Sequence, residues 1–434
     1  MKYLIIIFIL ISNISNAQTN WALGSWVGTA RADQEQTTIR INVLETSPDV
    51  HINIDLLDIG VIGIPALNME ITESTLELAM PSDNGLQPIM LVRQVDNTLT
   101  GIWSEVGKVD ARLQLQKADQ FIPPNEQRLM TTEGTVRLGL SIMIPEESEV
   151  LAGAVFVHGS GPEARDASRY AAIRLAEAGI ASAFFDKRGV GESGGNWQDA
   201  DFNELATDVL AVTKIFAATT GLKMSQIGFI GTSQGGWVAP LAASMVDELA
   251  FIITISGPAT TPKEEGHWNV VRELRLAGYD ESIISRADQI MDLWDEGIIR
   301  DGDFSDFIQA LNSARNENWF AQTSLEDIYS TDLPDWFIRW YQSVSNFDPL
   351  PVLRNLSIPM LAILGDQDEE QPWDRTLELL VDLAQGGNEI SVHIYNDVNH
   401  AMRLTNPNGQ LPRWPGRPVD FFNRQVDFIL ESVE

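Results

Sequence analysis

Gly231-Thr232-Ser233-Gln234-Gly235 follows the apolar run Ile227-Gly228-Phe229-Ile230 and precedes the helical stretch GGWVAPLAASM. A G-x-S-x-G between a strand and a helix makes a nucleophile elbow: the glycines let two backbone segments approach, and the sharp turn forces the serine side chain into the open. A helix N-terminus directly after Ser233 also favours the negative charge that forms when its hydroxyl attacks a carbonyl. The bland alternative is a turn whose serine only caps the helix.

A serine hydroxyl needs a base, and the chain has five histidines. His51 lies in an early block of alternating residues, ahead of the elbow region. His158 ends an early strand in His158-Gly159-Ser160-Gly161-Pro162, where a backbone turn is the expected product. His393 alternates within the strand SVHIY, as a packed strand histidine does, and His267 stands at the start of a long helical insertion. His400 follows the last strand in the loop YNDVNHAM, after the serine in chain order, where the base belongs in a Ser–Asp–His arrangement. The acid is expected between them, past the penultimate strand, in Leu364-Gly365-Asp366-Gln367-Asp368. Asp368 is the choice, and Asp366 is the alternative, read as a turn residue bonded to its own backbone. The acid fixes the imidazole tautomer and stabilises the imidazolium. Two N–H donors must hold the oxyanion. The backbone of Gln234 supplies one and that of Ser160 the other, with Gly161 in reserve.

These residues need a scaffold, and the strand-like runs supply it. Ala152–Val157, Ala181–Phe185, Ile227–Ile230, Phe251–Ile255, Met360–Leu364 and Ile390–Tyr395 alternate with helical stretches such as Ser168–Ala178, Asp201–Ala218, Gly235–Met245 and Trp373–Ala384. That alternation predicts a mostly parallel sheet with helices on both faces. Met130–Glu133 and Val136–Ile144 are read as an antiparallel pair ahead of it. Between Gly257 and Met360 lie about a hundred residues rich in Trp, Phe and acids, too many for one crossover, and a helical cap over about 258–352 is expected. From 18 to 120 the pattern is period two, as in Thr38-Ile39-Arg40-Ile41-Asn42-Val43, which predicts a small all-β barrel or sandwich with Trp26 and Trp103 as core plugs. Pro123-Pro124 marks the linker to a second domain, 121–434.

Four segments, HGSGPEARD, FFDKRGVGESGG, GTSQGGW and the pair GDQD…NH, resemble the secreted bacterial α/β-hydrolases of the EstD esterase type. These are grouped more loosely with serine aminopeptidase-like and dienelactone-hydrolase-like proteins. The resemblance covers about residues 125 to 434 and is weak in the cap. It implies an α/β-hydrolase fold, carboxylic-ester hydrolysis without a cofactor, and the triad Ser233, Asp368 and His400. The preceding β block also resembles a domain that some of these hydrolases carry. One departure is the elbow, Thr-Ser-Gln here where many relatives have His-Ser-Glu.

Asp186 and Arg188, in a D-x-R-G-x-G-x-S loop, and Arg165 and Asp166 are read as structural ties. Glu264-Glu265 and Glu369-Glu370 are read as solvated turn acids, although such pairs resemble those that capture a peptide amino terminus.

Composition removes other chemistries. With no cysteine there is no disulfide, thiolate metal site, thiol nucleophile or lipid-modified cysteine. A net charge of -32 repels phosphate backbones and anionic membranes, so nucleic acid is not an expected partner. The cap, with 18 acidic and 7 basic residues, should favour small neutral or cationic esters. No metal or cofactor is called for. Lys2, the apolar run Leu4–Ile11 and Ser15-Asn16-Ala17 read as an export signal over 1–17, cleaved after Ala17. Eight apolar residues are too few for stable membrane insertion, which takes about 20. The expected activity is a serine esterase, exported to the periplasm or medium. The alternatives are an aminopeptidase or acyltransferase using the same triad, or a glycan-binding protein with a vestigial hydrolase domain.

Overall fold

The computed structural model describes residues 20–434 except 47–49, 83–84, 120, 122–123, 132–135, 147–148, 301 and 407, with backbone alone at 327–328. The export segment 1–17 and Pro123 of the linker lie outside the described residues. The chain forms two compact units: residues up to Pro123 with Arg403–Arg417, and Pro124–Met402 with Pro418–Glu434.

The first unit is one antiparallel sheet of nine strands: β1 (Gly24–Ala32), β2 (Glu35–Glu45), β3 (His51–Leu56), β4 (Val61–Pro65), β5 (Leu67–Ile71), β6 (Thr75–Ser82), β7 (Gly85–Arg93), β8 (Leu99–Trp103) and β9 (Ala111–Ala118). Its order is β4-β3-β2-β1-β9-β8-β7-β6-β5, so the two edge strands are neighbours in sequence, separated only by Ala66. The sheet therefore curls into a nearly closed barrel, which leaves little free edge. Alternate residues point inward, and Trp26, Ile39, Ile41, Ile54, Leu76 and Trp103 fill the interior. Residues 403–417, which carry no strand or helix signal, pack with this unit. The Trp414 ring lies 5.5 Å from that of Trp103, and Arg413 donates to Glu35 and to the Val109 carbonyl and pairs with Glu105.

The second unit is an eight-stranded sheet in the order β10-β11-β13-β12-β14-β15-β16-β17. Its strands are β10 (Asn125–Met130), β11 (Gly139–Ile144), β12 (Ala152–Val157), β13 (Ile180–Phe185), β14 (Ile227–Thr232), β15 (Ile252–Ile255), β16 (Met360–Gly365) and β17 (Ile390–Tyr395). β11 runs antiparallel to both its neighbours, β10 and β13, and the other pairs, from β13–β12 to β16–β17, are parallel. The first hairpin strand is Asn125–Met130, its register pairing Asn125 with Ile144 and Met130 with Gly139; it starts earlier than the expected 130–133, of which 132–133 lie outside the described residues. Every residue of β12, β13 and β16 is buried, as in a sheet covered on both faces.

The covering helices are α1 (Arg169–Ala176), α2 (Phe202–Thr220), α3 (Gly235–Ala243), α9 (Leu350–Asn355), α10 (Trp373–Gln385) and α11 (Phe421–Val433). α2 starts at a reciprocal cap between Asp201 and Glu204 and stops at Gly221, whose φ of 75° a side chain would disfavour. Between β15 and β16 the cap contributes α4 (Pro262–Leu276), α5 (Glu281–Ile299), α6 (Ser305–Ala314), the single turn α7 (Leu325–Ile328) and α8 (Asp335–Val344). It has its own apolar core, with Val270, Met291, Trp294, Phe307 and Trp319 buried. Among the described residues no helix is long and apolar enough to cross a membrane.

Candidate active site

The turn from β14 into α3 is enforced by contacts that admit only glycine. A Cβ on Gly231 would lie 2.2 Å from the Gly235 carbonyl oxygen, and one on Gly235 would lie 2.6 Å from that of Val157. Ser233 between them has φ 52°, the left-handed region that costs a residue with a side chain about 1–2 kcal/mol. Two backbone bonds hold it there: its N–H donates to the Ile255 carbonyl at 2.9 Å, and its carbonyl accepts from Gly236 N–H at 2.7 Å.

Past β16, Asp368 is fully buried and accepts from the backbone N–H groups of Glu370 (2.9 Å) and Gln371 (3.1 Å). His400 Nδ1 lies 2.9 Å from both carboxylate oxygens of Asp368. Asp366 instead accepts from the Asp397 N–H at 2.7 Å, so it ties the two loops together rather than closing its own turn. The backbone of His400 is held as well, with its carbonyl accepting from Ser256 Oγ at 2.6 Å and its N–H donating to Glu369 at 3.3 Å. Nε2 has Glu370 Oε2 at 3.4 Å, and among the described residues no hydrogen bond joins it to Ser233 Oγ. Burial alone would depress the pKa of this imidazole. The hydrogen bond and charge of Asp368 outweigh it, with Glu370 and Glu265 adding to them, and the pKa stands above its ordinary value.

The strand-end loop after β12 lies alongside. A Cβ on Gly159 would fall 3.5 Å from Ser233 Cβ. The Gly159 N–H is taken by Glu163 at 3.2 Å, while those of Ser160 and Gln234 make no hydrogen bond among the described residues. These are the two donors expected for an oxyanion.

The other histidines are occupied. His158 donates Nε2–H to the Phe185 carbonyl at 2.6 Å, and burial first, then the charge of Lys187, lowers its pKa to about 4. His267 is clasped in the cap by Asp288 (2.7 Å) and Asp295 (2.8 Å), which outweigh burial and raise it to about 9. His267, Asp292 and Asp295 have the spacing of a metal site, but Lys263 Nζ stands 2.6 Å from Asp292 and the set is saturated by ion pairs. His393 packs its ring against Tyr395 at 4.4 Å, and His51 is exposed on β3 of the other unit.

The loop residues read as ties make them. Asp186 receives Nε and Nη2 of Arg165, and Arg188 forks onto both oxygens of Asp208. Arg169 pairs with Asp166. Two readings change. Glu264 caps α4 through Thr261, whereas Glu265 is no solvated turn acid: burial first, then Asp368 and Glu370 against the pull of His400, takes its carboxyl up to about 8. Glu369 and Glu370 flank the histidine, and Glu370 is an exposed acid as read. A helix-initiating Thr-x-x-Glu explains Glu264, and nothing local distinguishes Glu265, which reaches the site only through the placement of α4.

Residues 148–280 match the family model described as Serine aminopeptidase, S33. No curated protein matches the chain. Among solved structures the chain is similar to the Pyrococcus furiosus esterase Pf2001, at 16% identity over 73% of this chain and 96% of that one, TM-score 0.45. It is similar to a proline iminopeptidase of Mycobacterium smegmatis, at 17% identity over 71% and 99%, TM-score 0.45. It is also similar to Est1E of Butyrivibrio proteoclasticus with ferulic acid bound, at 16% identity over 70% and 96%, TM-score 0.41. The resemblance to serine hydrolases of the α/β-hydrolase class thus stands, carried by the family match over residues 148–280, which spans β12 to α4 and contains the elbow.

Proposed function

We propose that the protein is a serine esterase acting through Ser233, His400 and Asp368. The observation that carries this reading is Ser233 itself, held with positive φ at the N-terminus of α3 by two backbone hydrogen bonds, between two glycines whose positions leave no room for a Cβ. Asp368 accepts Nδ1–H of His400, which leaves the Nε2 lone pair to take the serine proton. Ser233 Oγ then attacks the ester carbonyl, and the N–H groups of Gln234 and Ser160 hold the oxyanion. The imidazolium protonates the leaving alcohol, and a water activated by the same histidine releases the acid. Substrates are small neutral or cationic esters, because Glu369 and Glu370 stand beside His400 under an acidic cap. Ser233→Ala should lower turnover of short p-nitrophenyl esters by about 10⁴-fold or more and abolish labelling by a fluorophosphonate. An unchanged rate sinks the reading.

A peptidase using the same groups is favoured by one observation: Glu265 and Glu370 place carboxyl groups beside His400, where an amino terminus would be attracted. The description of the matched family agrees with it. Aminoacyl anilides tested beside esters decide, and inactivity on every anilide removes the peptidase. We read residues 1–17 as an export signal, and a mature chain beginning at Gln18 by mass spectrometry is the expected result.

A further inference from the structure

Lys187 is 2% exposed, and it is the odd member of the run Asp186-Lys187-Arg188. Its neighbours are neutralised by partners of opposite charge, Asp186 by Arg165 and Arg188 by Asp208. Lys187 has no carboxylate within ion-pair distance among the described residues. Its Nζ donates instead to two neutral oxygens, the Gly159 carbonyl at 2.8 Å and Gln234 Oε1 at 2.9 Å, with the Trp197 ring 5.8 Å away. An ammonium buried against neutral acceptors costs stability that an apolar side chain would not. Burial lowers its pKa to about 8, Glu163 partly opposing.

The two acceptors have one thing in common. The Gly159 carbonyl belongs to the same peptide group as the Ser160 N–H, and in a trans peptide the two point in opposite directions. Gln234 carries the other free N–H directly after the nucleophile. We propose that Lys187 is a positioning residue for the oxyanion hole, gripping the Gly159–Ser160 peptide from behind and anchoring Gln234 by its side chain. Two loops that meet nowhere in the sequence, after β12 and after β14, are thereby set by one atom from a third, after β13. The ammonium also polarises the peptide it holds, which strengthens the N–H on the far side. Lys187 touches no reacting atom, so its influence is felt as charge develops on the substrate oxygen and not when the ester first binds.

This inference rests on the esterase reading, and the experiment separates the two. The full chain, Ser233→Ala, Lys187→Met and Gln234→Met are compared on a short p-nitrophenyl ester, with rates expressed per fluorophosphonate-titrated site, and per mole of protein for Ser233→Ala. Inhibition by an alkylboronic acid, which forms a tetrahedral adduct on the serine, is measured alongside. Lys187→Met keeps the aliphatic stem and removes the donor. Its kcat should fall about 30-fold with KM within about threefold, and boronate affinity should fall in parallel with kcat. Gln234→Met should lose about fivefold, and the double variant less than the product of the two, since both break the same contact. A merely structural lysine lowers the melting temperature and the titrated fraction while kcat and boronate affinity per site stay at wild type, and that result overturns the proposal. Should Lys187→Met not fold, Gln234→Met decides alone, and wild-type kcat and boronate affinity there overturn it. A full rate in Ser233→Ala removes the esterase reading and this one together, whereas a Ser233-dependent rate indifferent to Lys187 removes only this one.

Discussion

The two sides of the candidate site are built by different forces. On the serine side, steric contact dominates: Gly231 and Gly235 have backbone oxygens where a side chain would go, and Ser233 is pinned by bonds to Ile255 and Gly236. On the histidine side, charge dominates. Asp368 holds the imidazole, Glu369 takes the backbone N–H of His400, and Glu370 and Glu265 act on the ring's charge. A nucleophile must be exposed at a fixed point, which rigid backbone does well. A base must change protonation in each cycle, so its surroundings must tune a proton affinity as well as a position.

Removing the charge that orients the base should have the largest effect. Asp368→Asn leaves the shape and inverts the hydrogen-bonding character, and kcat on a neutral ester should fall about 10⁴-fold with folding intact by circular dichroism. A loss below tenfold would mean that position, not charge, organises this side. Next comes the steric side. Gly231→Val should destabilise the second unit by about 3 kcal/mol or more, read as a lowered midpoint in urea, because the Gly235 carbonyl cannot move away. A variant as stable as wild type would contradict the contact.

The smaller effects separate the acids around His400. The active form of the imidazole is neutral, so kcat/KM rises with pH through its pKa, which stands above the ordinary histidine value. Taking away the negative charge of Glu370 lowers that pKa. Glu370→Gln should therefore shift the acid limb to lower pH and raise the rate at pH 6 by about threefold. A limb that stays in place or moves to higher pH rules out this electrostatic account. Glu265 should matter least there. Its carboxyl, pushed up to about 8, is already protonated at pH 6, so Glu265→Gln should change the rate at that pH by less than about twofold. A larger change than that of Glu370→Gln would reverse the ranking.

Much of the serine side was legible because it is local. A strand of four apolar residues, a glycine, a serine and a second glycine before a helix occupy adjacent positions, and their geometry follows from neighbours. Elimination and chain order pointed to His400, and the structure supplies the 2.9 Å bond that favours Asp368 over Asp366. Lys187, Glu265 and Glu370 were not legible in their roles, since each meets its partner only through the packing of separate elements. The hairpin strand was placed too late because Asn125-Glu126-Gln127-Arg128 has no apolar alternation, and only pairing with β11 makes it a strand. The helix α11 at the C-terminus went unread, although Phe421, Gln425 and Ile429 recur on one buried face.

The sequence by itself determined the parts with short-range causes: the alternation of strands and helices, the elbow, the acidic cap, and the absence of any thiol chemistry. Tertiary structure alone decided which distant groups share a neighbourhood. It brought the two ends of a nine-stranded sheet to either side of Ala66, gave residues 403–417 to the first unit only a few residues after His400, and set Lys187, with no carboxylate in ion-pair reach among the described residues, behind the peptide of Ser160. The physical reason is range. Turn sterics and periodicity act over a few residues, whereas burial of a charge is fixed by every element packed around it.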